Sequence, residues 1–184
     1  MIDYKVSHRY ASSLLDSSIE KKNLDSVIKD MEFIFSILHR EKALSIVLKS
    51  PVIKPATKSS ILIEIFKSKI TEDSLNFLLF VLDKKREELL ENIVKKFLEL
   101  KDQYLGILKV EVSAPYDFSE DQKLQIKKKF ESAFNKTILM NFIINKDLIG
   151  GFVAKVIDTL YDASVKHQVE LLRKQFLHGN VLLN

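Results

Sequence analysis

Hydrophobic positions in residues 1–105 recur every three to four residues, the spacing that places them on one face of an α-helix. Six stretches show this pattern: Tyr4 to about Lys22, a stripe from Leu24 to Leu38, Glu41 to Lys49, a stretch that begins at Pro55, Thr71 to Leu82, and a stripe from Leu89 to Leu105. No glycine occurs before Gly106. The pattern predicts an all-helical domain over residues 1–105, built as a six-helix bundle.

Residues that favour helix ends lie between these stretches. Asn23 and Thr71 can cap the second and fifth helices, because their side-chain oxygens can accept hydrogen bonds from N–H groups of the first turn. Ser50-Pro51 ends the third helix, since proline disfavours a helical conformation in the residue before it. Pro55 suits the first turn of the fourth helix.

After Gly106 the hydrophobic period changes to two. Apolar and polar residues alternate from Leu108 to Ala114, as in a half-buried strand. Ser119 opens a capping-box pattern for a following helix, Thr137 to Ile144 predicts a second strand, and one or two more strands follow Gly150-Gly151. Ser164 can cap a final helix. Residues 106–184 therefore form a small α+β domain of order β-α-β-β-α, and the fold class of the chain is mainly α.

Composition and charge exclude several functional classes. The chain is 46% hydrophobic and 29% charged, has no cysteine, and its longest apolar run, Phe77 to Leu82, is far too short to span a membrane. Its net charge of +4 is divided equally between residues 1–105 and 106–184. The compact basic run Lys127 to Lys129, with Lys123 one turn earlier, leaves nucleic-acid binding as a weak alternative, because such binding usually needs a concentrated basic face.

Residue patterns typical of catalysis are missing from the sequence. Neither GxxxxGK[ST] nor GxGxxG nor GxSxG occurs, and the histidines at positions 8, 39, 167 and 178 have no metal-ligand spacing. Asp147, Asp158 and Asp162 could act as acid/base groups or metal ligands, but turn and cap roles explain them better. The sequence predicts a protein that is not an enzyme, with no catalytic residue, no metal site and no cofactor.

Two predicted helices carry more apolar surface than one core face requires. The fifth helix is apolar around almost its whole circumference, which fits either a fully buried central helix or a helix that also lines a groove for a partner helix. The first helix presents Val6, Tyr10 and Ser13 on a stripe rotated away from its Ala11–Leu14 face. A tyrosine between small residues suits close approach of another helix, and Tyr10 is a candidate hot spot.

The order of motifs resembles a known family along nearly the whole chain. The motifs are Arg9-Tyr10-Ala11-x-x-Leu14, Leu48-x-Ser50-Pro51-x-Ile53 with Lys58 after it, and the stretch from Asp147 through Gly150-Gly151-Phe152, Lys155, Asp158 and Asp162 to Ser164-Val165, followed by Leu172. Together they are similar to the delta subunit of bacterial and chloroplast ATP synthases and to the mitochondrial oligomycin-sensitivity-conferring protein. Ile157 and Ala163 stand where this family usually has glycine, and a glycine at the second position would permit a positive φ before the last helix.

The resemblance implies a non-catalytic stator subunit that joins the catalytic head of a rotary, proton-translocating ATP synthase to its peripheral stalk. Residues 1–105 would bind the N-terminal helices of alpha subunits, and residues 106–184 would bind b-type stalk subunits. By position, the alpha-binding surface would consist of Val6, Tyr10, Ser13, Asn76, Leu79 and Phe80. The family-signature residues would have structural roles in turns and a helix cap: Gly150, Gly151, Asp158, Asp162 and Ser164.

The same resemblance sets an expected location and leaves one alternative open. Membrane association would be indirect, through the complex, with no nucleic acid bound. A bacterial source is favoured because Met1 leads directly into the first predicted helix. The expected location is then the cytoplasmic face of the bacterial inner membrane. The alternative is a generic helical adaptor that binds amphipathic helices of unrelated partners, which would show no selectivity for ATP synthase segments.

Overall fold

The structure is a computed structural model that describes residues 2–177. His178 lies outside the described residues. The chain divides into two compact units, Met1–Tyr104 and Leu105–Asn184. Each unit has its own cluster of buried hydrophobic side chains.

The first unit is helical. Its described elements are, in order, α1 (Ile2–Glu20), α2 (Leu24–Arg40), α3 (Lys42–Lys49), α4 (Pro55–Phe66), α5 (Glu72–Asp83), a 3-10 turn (Glu87–Leu89) and α6 (Leu90–Tyr104). The region predicted as a bundle of six helices therefore also contains a turn of 3-10 helix, and the sixth stripe is divided between that turn and α6. Leu105, predicted as the end of the sixth helix, follows α6 and is half-exposed.

Every helix of the first unit contributes to one core, within which α6 packs against α1 and α2. The predicted inner face of α1 is confirmed, because Ala11 and Leu14 are buried, and Ser7, Leu15 and Ser18 are buried beside them at helical spacing. On α5, Leu78, Val81 and Leu82 are buried, whereas the Phe80 side chain is 49% exposed. Thus α5 is not the fully buried central helix that was one interpretation of its composition.

The second unit consists of a four-stranded sheet and two helices, with β1 (Ile107–Ala114), α7 (Glu120–Phe134), β2 (Thr137–Ile144), β3 (Gly151–Val156), β4 (Thr159–Ser164) and α8 (Val165–Leu177) in order. The strands lie in the order β2-β1-β3-β4; β1 and β2 are parallel and the other neighbours are antiparallel. Of the one or two strands expected after Gly150-Gly151 the structure has two, because a two-residue turn at Ile157 and Asp158 divides this region into a hairpin, so the order is β-α-β-β-β-α where β-α-β-β-α was predicted.

One face of this sheet packs against α7. Phe130 and Phe134 of α7 join the core formed by β1, β2 and β3, and both rings also contact Tyr161 of β4 edge-on. The capping box predicted at Ser119 is confirmed: the Ser119 hydroxyl accepts from the Gln122 N–H, and the Gln122 side chain accepts from the Ser119 N–H. The chain is thus mainly helical with a small C-terminal sheet. No helix in residues 2–177 is long and apolar enough to cross a membrane.

Candidate partner-binding groove

An open groove of about 320 Å³ lies between α1 and α5. Its lining comes from these two helices, the α1–α2 turn and one residue of α2: Tyr10, Ser13, Leu14, Ser17, Ser18, Lys21, Asn23, Val27, Asp73, Asn76, Phe77 and Phe80. The small residues Ser13 and Ser17 lie one helical turn apart on α1. Because their side chains are short, they leave room for the side chains of an approaching segment.

The apolar part of the groove is built around two aromatic rings. The ring centroids of Tyr10 on α1 and Phe80 on α5 lie 6.1 Å apart at an angle of 50°, so the rings touch across the groove. Leu14 and Val27 beneath them are buried core residues. An exposed phenylalanine backed by core is the type of surface on which a partner's apolar side chains can be desolvated.

The other part of the groove is polar. Asp73, in the first turn of α5, accepts hydrogen bonds from Lys21 Nζ and Asn23 Nδ2, each at 2.7 Å. These contacts tie the α1–α2 turn to α5. The prediction that the Asn23 side chain caps α2 was wrong, because Asn23 holds the N-cap position without a side-chain cap bond and donates to Asp73 instead.

The position of α5 is set by a buried carboxylate on α2. Asp30 accepts from the Thr71 N–H at 2.9 Å and from the Thr71 hydroxyl at 2.5 Å. The Thr71 hydroxyl in turn accepts from the Ser74 N–H, which confirms Thr71 as the cap of α5. Buried hydrogen bonds to a charged group are among the stronger ones in proteins, so the start of α5 is firmly attached to α2.

The structure brings four of the six predicted binding residues together. Tyr10, Ser13, Asn76 and Phe80 line the groove. Val6 instead packs, half-buried, against the core of the first unit, and Leu79 is half-buried outside the groove lining. Whether these surfaces bind a partner stays a prediction.

Several lining residues were not predicted from the sequence. Ser17 and Lys21 continue the Tyr10–Ser13 side of α1 at helical spacing, so the pattern itself could have identified them. Asp73 could not be assigned in this way, because its partners lie 50 and 52 residues earlier in the chain.

The family-signature residues shape the hairpin and the start of α8. The Gly150 carbonyl accepts from the Val165 N–H at 3.0 Å, and Gly151 has a φ of +75°. Asp162 Oδ1 accepts from the Ser164 N–H at 2.8 Å, and the Ser164 hydroxyl accepts from the His167 N–H at 3.2 Å. Hydrogen bonds from Ser164 hold the pKa of the Asp162 carboxyl below its usual value.

The two positions at which the family usually has glycine differ from each other in the structure. Ile157 adopts a φ of +56°, in the turn that it shares with Asp158. Ala163 lies within β4 and is not among the residues of positive φ. The positive torsion considered for position 163 is therefore found at Ile157, where a β-branched residue occupies a conformation that favours glycine.

Part of the basic surface considered for nucleic-acid binding is neutralised locally. Lys123 pairs with Asp117 and Glu120, and Lys127 lies 3.8 Å from Glu131. Within residues 2–177, no group of three acidic or histidine side chains is arranged to hold a metal ion.

Comparison with known proteins assigns the fold to a family. The family model "ATP synthase delta (OSCP) subunit" matches residues 6–176. The ATP synthase subunit delta of Pelodictyon phaeoclathratiforme is 34% identical over 93% of this chain and 96% of its own length, and that of Halothermothrix orenii is 33% identical over 95% and 91%. A chain in the cryo-EM structure of the Toxoplasma gondii mitochondrial ATP synthase hexamer has the same fold, with a TM-score of 0.70 over 93% of this chain and 97% of that chain, at 18% identity.

The chain combines an all-helical unit, which carries an open groove, with a small α+β unit, and the family it matches consists of non-catalytic subunits of a larger assembly. The family match covers nearly the whole chain, which confirms the resemblance found in the sequence. The chain belongs to the ATP synthase delta (OSCP) subunit family.

Proposed function

We propose that the groove between α1 and α5 binds the amphipathic N-terminal helix of an ATP synthase alpha subunit, while the second unit binds b-type subunits of the peripheral stalk. As a member of its family the protein is a stator subunit, which keeps the catalytic head from turning with the central stalk. The observation that carries the groove assignment is the Tyr10–Phe80 pair, an accessible aromatic surface backed by the core of the first unit.

The chemistry of the groove suits a joint under torque. A stator joint has to remain bound through every rotary step, and exposed ion pairs contribute only about 0–1 kcal/mol each. Burial of aromatic and aliphatic side chains contributes more, with central aromatic hot spots at about 2 kcal/mol or above. We therefore expect the partner helix to place its apolar face on Tyr10 and Phe80, and its polar residues near Lys21 and Asp73.

Calorimetric titration of the full chain with a peptide from the alpha N-terminus of the same organism tests this assignment. We expect one-to-one binding that Tyr10→Asp weakens by about thirtyfold, because a carboxylate would then face the partner's apolar side chains. Tyr4→Asp is the matched control, since Tyr4 lies on the same helix, is exposed and does not line the groove. Equal loss in both variants, or binding that survives Tyr10→Asp, would contradict the assignment.

A peptide of unrelated sequence that keeps the same length and the same amphipathic pattern distinguishes the stator from a generic helical adaptor. The stator predicts that only the alpha-subunit sequence binds, whereas an adaptor accepts both amphipathic helices. In membranes that lack this subunit, proton flow should no longer be coupled to ATP synthesis, while the catalytic head still hydrolyses ATP. Retained ATP-driven proton pumping in those membranes would contradict the stator role.

The location follows from the same proposal. The protein reaches the membrane through the assembled complex, at the cytoplasmic face of a bacterial inner membrane. Washing purified membranes with an alkaline buffer of low ionic strength, which detaches peripheral proteins, should release this subunit without detergent. A requirement for detergent would contradict a peripheral association.

A further inference from the structure

Helix α8 presents apolar side chains that pack against neither core. It spans 13 residues and follows β4 directly. From residue 165 to residue 176 every side chain is exposed except that of His167, which is half-buried. Among the described residues, neither hydrophobic core includes a member of α8. A helix this short is marginal in water by itself and gains its stability from packing, so α8 has a face that a partner can cover.

Four of these apolar side chains form one narrow stripe. They recur at intervals of four, three and four residues and are 44% to 73% exposed: Val165, Val169, Leu172 and Phe176. This is the spacing of the a and d positions of a coiled coil, whose side chains insert between those of a second helix. A helix that packs on a core or lies on a membrane usually has a wider apolar face. The stripe therefore fits one partner helix.

The two sides of the stripe differ in charge. Lys166 and Arg173 lie seven residues apart along one side, and Gln168 and Gln175 lie along the other. Because seven residues are nearly two helical turns, the two cations extend along the same flank. Side chains that flank the apolar seam of a coiled coil pair with oppositely charged residues of the partner and thereby select it. The complementary helix therefore carries acidic residues on the side that meets Lys166 and Arg173.

The start of α8 is held in place by family-signature residues. The Val165 N–H donates to the Gly150 carbonyl at 3.0 Å, and the Ser164 hydroxyl accepts from the His167 N–H. A Cβ at position 150 would lie only 3.0 Å from Val165 Cγ2, so glycine leaves room for the first side chain of the stripe. The stripe thus leaves the sheet in a defined direction, which lowers the conformational entropy that binding must overcome.

We propose that α8 pairs with a helix of a b-type stalk subunit as a two-stranded coiled coil, with the acidic flank of that helix against Lys166 and Arg173. This inference rests on the proposed function, in which the second unit binds b-type subunits, and it assigns the contact to one helix and one type of charge. A second copy of the chain fits less well, because two antiparallel α8 helices would bring their basic flanks together.

Calorimetric titration of the full chain with the soluble part of the b-type subunit from the same organism tests the stripe. Leu172→Glu places a carboxylate in the apolar seam and should weaken binding by about thirtyfold. Leu171→Glu is the matched control, because Leu171 is 46% exposed and Leu172 is 52% exposed, while their side chains point about 100° apart around the helix. The control should change binding by about threefold or less.

A second pair of variants tests the charge. Arg173→Glu should weaken binding by about tenfold at low salt, because it places like charges on the two flanks. Lys174→Glu makes the same change in net charge one residue further on, on the side of α8 away from the stripe, and should have a much smaller effect. The difference between the two variants should shrink as salt is added, since salt screens exposed charges.

Different results contradict different parts of the inference. A wild-type chain that does not bind the b-type subunit would overturn both this inference and the proposed function of the second unit. Wild-type binding with equal losses in Leu171→Glu and Leu172→Glu would overturn the assignment to α8 alone, and equal losses in Arg173→Glu and Lys174→Glu would overturn the acidic flank. Co-sedimentation of the wild-type chain, but not of Leu172→Glu, with phosphatidylglycerol vesicles would show that the stripe lies on a membrane and would also overturn the inference. Circular dichroism checks the fold of every variant.

Discussion

Lys58 Nζ lies 2.7 Å from Glu87 Oε1, and on its other side it donates to the Leu48 carbonyl at the same distance. The Lys58 side chain is only 4% exposed and that of Glu87 only 15%. A lysine at the start of α4 thus joins the end of α3 to the 3-10 turn before α6. Both of its contacts are made where water is largely excluded.

Removal of the Lys58 ammonium should destabilise the first unit strongly. Lys58→Met keeps much of the side-chain volume but leaves the Glu87 carboxylate without its cation, and an uncompensated buried charge typically costs about 3–5 kcal/mol. Lys84→Met is the control, because Lys84 pairs with Asp83 at the surface and should lose about 1 kcal/mol or less. Urea unfolding followed by circular dichroism measures both. Similar losses in the two variants would show that the buried pair has no special role.

The stability of the first unit should fall in acid partly through Glu87. Burial alone would raise the pKa of this carboxyl, but the hydrogen bond and charge of Lys58 outweigh that effect and hold its pKa below the usual value. A lowered folded pKa stabilises the fold above the unfolded value of about 4.3, and this stabilisation is lost as pH falls through the folded pKa. The stability difference between wild type and Glu87→Gln should therefore narrow below about pH 4.3. A difference that stays constant in acid would refute this linkage.

Replacing Ile157 should stabilise the hairpin of the second unit. Its φ of +56° costs an L-residue about 1–2 kcal/mol, and its side chain is 67% exposed, so little packing is lost. Ile157→Gly should gain about 0.5–1 kcal/mol after the greater unfolded-state entropy of glycine is counted. Slower hydrogen exchange of the β3 and β4 amides is the expected readout. Ile149→Gly is the control, because Ile149 is an exposed loop residue that is not among the residues of positive φ. This change should not slow the exchange of the β3 and β4 amides.

Two glycines of positive φ should respond differently to alanine. A Cβ at Gly106 would meet open space, so Gly106→Ala should cost only the backbone strain, about 1–2 kcal/mol. A Cβ at Gly151 would overlap the Ala163 carbonyl oxygen across the hairpin. Gly151→Ala should therefore cost clearly more and expose the β3–β4 pairing to exchange. Equal effects in the two variants would mean that the hairpin accommodates the methyl group.

Much of the fold could be predicted from local sequence because it depends on local interactions. Helical spacing identified the buried face of α1, and the Ser119 and Thr71 caps followed from contacts over three residues. The division of β3 from β4 could not be predicted as easily. Its turn has Ile157 where a glycine would be expected, so the usual turn signal is missing.

The groove could be predicted from the sequence only for the lining residues that follow the helical spacing of α1 and α5. Tyr10 stood out because it lies on a stripe of α1 beyond the core face, whereas Phe80 was assigned by position from the family resemblance, on a helix that is apolar around almost its whole circumference. The contacts of Asp73 and the buried Lys58–Glu87 pair depend on residues that lie 29 to 52 positions apart. Nothing in the neighbouring sequence distinguishes these charged residues from those that remain in solvent.

Asp30 lies on α2 and does not line the groove, yet its carboxylate holds the N-terminal cap of α5. The position of α5, which carries Asn76 and Phe80, therefore depends on a residue of α2. A genetic screen for cells that hydrolyse ATP but grow poorly by respiration would be expected to recover changes at Asp30 alongside changes at Tyr10. Substitutions at position 71 that restore a hydrogen bond to α2 should suppress a change at Asp30. They should not suppress a change at Tyr10, because Tyr10 would contact the partner directly.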